Sequence, residues 1–150
     1  MATLIKLKLS LKTGLKSFSG TDAHIYLVFA GPGAERVYRL PTRPGDLEAG
    51  KLDIYAAECP DGPDLEAVHH VLLVNGMDGP SPAWRVLWAR LEAVDAAGRS
   101  WLLADAMLER WLEAGDARAP VAFLPVQRPF VRLAVEDAVG VPTSKLTPIA

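Results

Sequence analysis

The sequence predicts an all-β chain, a sandwich or barrel built from short strands. Two observations predict it. Apolar and polar residues alternate along most of the chain, the period at which side chains share one face of a strand. Segments rich in Gly, Pro, Asp and Asn separate these runs, as turns would. Size agrees. The chain has 150 residues, half of them hydrophobic and 23% charged, which fits a single domain able to bury a substantial core.

The first alternating run places Ile5, Leu7, Leu9 and Leu11 on one face and Lys6, Lys8, Ser10 and Lys12 on the other. Gly14 to Thr21 is turn-like. Ala23 to Ala30 is the next strand, with Ile25, Leu27 and Phe29 alternating with His24, Tyr26 and Val28. Gly31-Pro32-Gly33 breaks it, and Glu35 to Leu40 returns as a hairpin partner. After the loop Pro41 to Gly50, Lys51 to Ala56 reads as a strand with Leu52, Ile54 and Ala56 inward. Cys59 to Leu65 is a connector, and the strongly apolar Ala67 to Val74 is a central strand. Asn75 to Pro82 is a loop. Arg85 to Val94 and Arg99 to Ala104 flank the turn Asp95-Ala96-Ala97-Gly98.

One segment departs from the all-β reading. Asp105 is placed to cap a short helix near 105–114, in which Met107 and Trp111, and Leu108 and Leu112, pair at i, i+4. Gly115 would close it. Residues 117–150 then read as a Pro-containing C-terminal extension. It carries Pro120, Pro125 and Pro129, then the strand-like Phe130 to Val135, and packs on the domain or on a partner.

Composition narrows the function classes. A net charge of −2 lacks the broad positive field of a nucleic-acid binder. No segment is long and apolar enough to span a bilayer. Cys59 is the single cysteine, so no internal disulfide forms, and a reducing compartment fits. Lysines at every second position near the N-terminus break the apolar run that a secretory signal needs, so a cytoplasmic location is expected. The Ala-, Leu-, Arg- and Pro-rich composition points to a bacterium with a GC-rich genome.

Several segments, taken in order, carry a family resemblance. Leu11-Lys12-Thr13-Gly14 is followed by Ser19-Gly20-Thr21-Asp22-Ala23 and an aromatic strand. Leu47-Glu48-Ala49-Gly50 precedes the strand Lys51 to Ala56. Trp84 through Asp95 follows a Gly-Pro loop, and Ser100-Trp101-Leu102 and Arg110-Trp111-Leu112 come last. This ordered set, over roughly residues 4 to 113, resembles the PLAT (lipoxygenase-homology) domain. The resemblance implies an antiparallel β-sandwich of two packed sheets over residues 1–116. It also implies a non-catalytic module that associates with a lipid or membrane surface, or with another protein. The chain departs from the pattern at Asn75-Gly76-Met77-Asp78, where the family has His-Asp-Asn or similar. Between Trp84 and Asp95 it is about two residues longer, a length that a bulge would absorb.

The resemblance further implies a calcium site formed by the carbonyls of Gly20 and Thr21 with Asp22 and Asp46, and with Asp78 from the third loop. Phe18 stands where calcium-binding members often carry an acid. Asp22 and Asp46 can equally cap their own loops. Leu15 and Phe18, with Lys16 and Lys12 beside them, form an apolar loop tip ringed by cations, suited to an interfacial contact. Strict alternation puts Trp84, Val86 and Trp88 on one face, a patch for a protein partner if exposed. The alternative function is therefore a protein–protein adaptor that uses this Trp-bearing face and the C-terminal arm, without lipid or calcium.

No catalytic constellation emerges. His69 and His70 point to opposite sides of a strand, and His24 stands alone in its strand. No Gly-x-Ser-x-Gly elbow or phosphate-cradling loop occurs. Cys59 has no base beside it in the sequence.

Overall fold

The alternating runs become strands. The structure, a computed structural model, describes residues 2–115, 119–126, 128–133 and 142–149. In chain order the strands are β1 (Leu4–Thr13), β2 (Ile25–Ala30), β3 (Arg36–Arg39), β4 (Leu52–Glu58), β5 (His70–Asn75) and β6 (Trp84–Asp95). They continue with β7 (Ser100–Leu112), β8 (Val121–Leu124), β9 (Val131–Arg132), β10 (Ser144–Lys145) and β11 (Thr147–Pro148). A 3-10 turn, Leu65–Ala67, precedes β5.

Two sheets pack face to face. Sheet one has the order β10-β4-β1-β6-β7-β9, and sheet two the order β11-β3-β2-β5-β8. Every pairing is antiparallel except β10 on β4. The inner faces meet in one core that holds Leu7, Leu9, Leu27, Phe29, Tyr38 and Trp84, all fully buried. Burying each such side chain contributes about 1.5–3 kcal/mol. The rings of Phe29 and Tyr38 meet edge to face at 6.1 Å. This is a PLAT-like β-sandwich.

Four details differ from the sequence reading. First, Ile5 is exposed while Leu4 is buried. The register with β6 slips between Leu4 and Lys6, so one extra residue in β1 flips the pleat. Second, β4 is turned over. Asp53, Tyr55 and Ala57 point inward, and Leu52 and Ile54 outward. Polar tips are tolerated inside here because they are satisfied. The Asp53 carboxylate accepts the Leu47 N–H at 2.9 Å, and the Tyr55 hydroxyl donates to Asp46 at 3.0 Å.

Third, residues 105–112 form no helix; they continue β7, paired with β6 as far as Trp84↔Leu112. Spacing of four residues is a multiple of two, so pairs at i, i+4 share a strand face as well as a helix face. Asp105 caps nothing: it accepts the Trp88 Nε1–H at 2.7 Å and the Arg90 guanidinium at 2.6 Å. Fourth, β7 carries extra residues opposite β6, with register shifts between Val86 and Trp88 and between Leu91 and Glu92. Glu109, at the first shift, has φ of 47°. These bulges add residues to β7, not to β6; the one extra residue of β6 lies opposite β1, between Val86 and Trp88.

Residues beyond 117 supply edges to both sheets. β8 pairs with β5, β9 with β7, β10 with β4 and β11 with β3. Leu146, between β10 and β11, is buried in the core. The apolar segment Phe130 to Val135 gives β9; residues 134 and 135 lie outside the described residues.

Candidate functional site

Three loops meet at one end of the sandwich: residues 14–24, 41–50 and 76–83. Backbone bonds lace them together. Gly14 donates to the Arg85 carbonyl at 2.9 Å and accepts from Gly50 N–H at 2.8 Å. Arg85 N–H returns to the Ser19 carbonyl at 2.8 Å, and Thr21 N–H reaches the Leu47 carbonyl at 3.1 Å. The Thr21 hydroxyl bridges further, donating to the Pro82 carbonyl at 2.7 Å while accepting Ala23 N–H at 3.0 Å. A Cβ added at Gly20 would lie 2.8 Å from the Leu47 carbonyl oxygen, so Gly20 is needed for close approach of two backbones.

Between the pinned ends Gly14 and Ser19, both buried, the tip Leu15-Lys16-Ser17-Phe18 stands in solvent. Leu15 is 73% exposed and Phe18 is 93% exposed. Phe18 has φ of 67°, a left-handed conformation that costs an L-residue about 1–2 kcal/mol. The loop therefore holds an aromatic ring outward on a strained backbone. Lys16 is exposed beside it, and the Lys12 ammonium is fixed to the Gly50 carbonyl at 2.6 Å.

Behind the tip, Thr21, Asp22, Asp46 and Glu48 line a cleft of about 340 Å3. Thus Asp22 and Asp46 are brought to one place, while Asp78 is not among the residues lining it. Asp22 accepts Ser81 N–H at 3.1 Å. Asp46 accepts Arg43 N–H and the Tyr55 hydroxyl, each at 3.0 Å, with the Lys51 ammonium 3.5 Å away. Burial pushes the Asp46 carboxyl up, but these donors and Lys51 outweigh it and hold it below the usual range. Asp78 takes the His24 backbone N–H at 2.8 Å and the His24 ring at 2.5 Å, and the first of these leads in lowering its pKa.

Calcium needs about six to eight oxygen ligands. Here Asp46 already carries a lysine and Asp78 a histidine. Among the described residues no three His, Cys, Asp or Glu side chains converge as a metal would require. The donor set does not fit the ion as it stands; two of the three carboxylates cap loops, and one ties a histidine.

Trp84 is no surface residue. Its indole is fully buried and donates to the Thr13 hydroxyl at 3.0 Å. Trp88 is half-buried on the opposite side of the sheet. The β6 register slips against β1 between Lys12↔Trp88 and Thr13↔Val86, so Trp84 and Trp88 no longer share a face. The expected Trp-Val-Trp patch therefore does not exist. Cys59 is buried, and burial pushes its thiol up to about 11, which leaves it unreactive near neutral pH. Sequence reasoning missed the outward Leu52 and Ile54, which are 49% and 53% exposed.

Neither a protein-family model nor a curated protein sequence matches the chain. Solved structures do. Alpha toxin from Clostridium absonum superposes with a TM-score of 0.65 at 14% identity, covering 83% of this chain and 32% of the toxin. An arachidonate-bound LOX gives 0.59 at 19% identity, over 81% of this chain and 16% of that one. Coral 8R-lipoxygenase, described as calcium-activated through a C2-like domain, gives 0.54 at 18% identity, over 79% and 16%. At such identities the likeness shows the fold, a sandwich of the PLAT or C2-like kind. The chain spans less than a third of the length of each of these neighbours.

Proposed function

We propose that this chain is a non-catalytic module that associates with a lipid surface through the loop Leu15–Phe18. One observation carries the reading: Phe18 is held almost wholly in solvent by a loop anchored at both ends. A buried Phe would contribute about 1.5–3 kcal/mol, so a globular chain gains nothing by this display unless an apolar phase receives the ring. Lys16 supplies a charge that anionic headgroups reward by roughly 1 kcal/mol. The association needs no calcium, because the cleft carboxylates already have partners.

Vesicle co-sedimentation tests this. The wild-type chain pellets with vesicles of phosphatidylserine and phosphatidylcholine, and equally so in calcium and in EGTA. Phe18→Asp stays in the supernatant. Failure of the wild type to pellet with any mixture refutes the lipid reading. Calcium-dependent pelleting that Asp22→Ala abolishes refutes the calcium-independent part alone.

A further inference from the structure

We infer that the outer face of sheet two is a docking surface for a companion protein domain, one that presents an apolar patch and a carboxylate. This does not rest on the Leu15–Phe18 loop. In register, Val37, Val28, Leu72 and Phe123 form one row across β3, β2, β5 and β8. Ile149 extends it beyond β3, donating its N–H to the Val37 carbonyl at 2.8 Å. The next row is Tyr26, Val74 and Val121, and it ends at Arg39. Phe123 is 60% exposed, Ile149 42% and Val37 36%. Neither row contains an acid.

The sequence of these strands makes the same point. Ile25 to Ala30, Val71 to Val74 and Val121 to Leu124 are unbroken apolar runs. That is the pattern of strands covered on both faces, whereas an antiparallel sheet with one wet face alternates. Among the described residues only the inner face is covered. An apolar sheet face of this kind marks an interaction site.

Area and charge choose the occupant. Five strands about 4.8 Å apart and two rows about 7 Å apart give a patch of roughly 300–400 Å2. A stable dimer needs about 800 Å2 per partner, twice that. Contacts between domains bury about 600–1,500 Å2 in total, which the patch matches. A second copy would bring no carboxylate from these rows to Arg39, for which no partner is found among the described residues. A partner domain with an acid opposite Arg39 completes the contact.

The test is site-specific photocrosslinking. Benzoylphenylalanine replaces Phe123 or, as a control on sheet one, Ile54, in the full chain in the cells that make it. The adduct is identified by mass spectrometry, and the identified protein is purified and titrated calorimetrically against the chain. The inference expects an adduct at 123 and not at 54. It expects affinity to fall about tenfold or more in Phe123→Asp and in Arg39→Glu. It also expects rescue of Arg39→Glu by a Lys in place of the partner's carboxylate, and no change in Phe18→Asp. Circular dichroism confirms that each variant is folded. An adduct with lipid or with a second copy, equal adducts at both positions, no adduct, or unchanged affinity in Phe123→Asp overturns it.

Discussion

The two sheets share one interior and differ in what they turn outward. Sheet one mixes ion pairs with apolar side chains on its outer face, where Leu52, Ile54, Met107 and Val131 are exposed. Arg90 reaches Glu92 at 3.3 Å and Asp105 at 2.6 Å, Lys8 lies 3.8 Å from Glu92, and Trp88 shares Asp105. Sheet two faces outward with valine, leucine and phenylalanine. Both inner faces are buried, with Asp53 a satisfied polar exception on sheet one, so the contrast lies mainly in alternate residues. It shows that core formation uses one half of each strand and leaves the other half to report what lies beyond the domain. On sheet one that half holds ion pairs among exposed apolar residues; on sheet two it forms the proposed docking surface, whose two rows contain no acid.

Substitutions can break or sharpen this contrast. The largest loss belongs to the shared interior. Trp84→Ala should lower stability by about 3–5 kcal/mol in urea unfolding, since it removes a fully buried indole and strands the Thr13 hydroxyl. Next comes the β6–β7 turn. Asp95 is fully buried. Its Oδ1 accepts Ala97 and Arg99 N–H, and its Oδ2 the Trp101 indole at 3.0 Å. Burial pushes this carboxyl up, but Trp101, the two backbone donors and Arg99 prevail and hold it below its ordinary value. A lowered folded pKa stabilises above the unfolded value of about 3.9 and loses that stabilisation as pH falls through the folded one. Asp95→Asn should therefore cost about 2 kcal/mol at pH 7. In thermal unfolding its gap to the wild type should begin to narrow near about pH 4 and close in stronger acid. A gap unchanged at low pH would refute the assignment.

Smaller effects fall at the tip and on the faces. Phe18→Gly should raise stability by about 1 kcal/mol by relieving the left-handed strain, while abolishing vesicle binding. Unaltered stability would mean that the loop is not strained. Last, Phe123→Ser on sheet two and Lys8→Ala on sheet one should each shift stability by less than about 0.5 kcal/mol. A large loss at Phe123 would show that the outer apolar face is already covered within the chain.

How much was legible follows the same contrast. Where lysine marked every second position, Leu7, Leu9 and Leu11 were read inward correctly. Ile25, Leu27 and Phe29 were also right, and so was the turn at Asp95 to Gly98. Parity failed where no such contrast existed or where a residue was inserted. Leu52 and Ile54 looked like core, yet Asp53 and Tyr55 went in because their polar atoms found partners there. Ile5 and Trp88 changed sides at register slips that local alternation does not encode. The resemblance placed Asp22 and Asp46 together, and they do share a cleft. It did not foresee Lys51 and the Tyr55 hydroxyl beside Asp46, which belong to the next strand. The exposure of Phe18 depended on a backbone angle, and no pattern of residue types specifies one.

The closing residues of the chain have a consequence for solubility. β10 covers an edge of sheet one, β11 covers an edge of sheet two, and Leu146 plugs the seam between them. Bare edges invite strands of other molecules to add on, the route to fibrils. Clipping after residue 142 would uncover both edges and unplug the seam at once. Residues 144–148 thus shield the longer strands β4 and β3 from strands of other molecules.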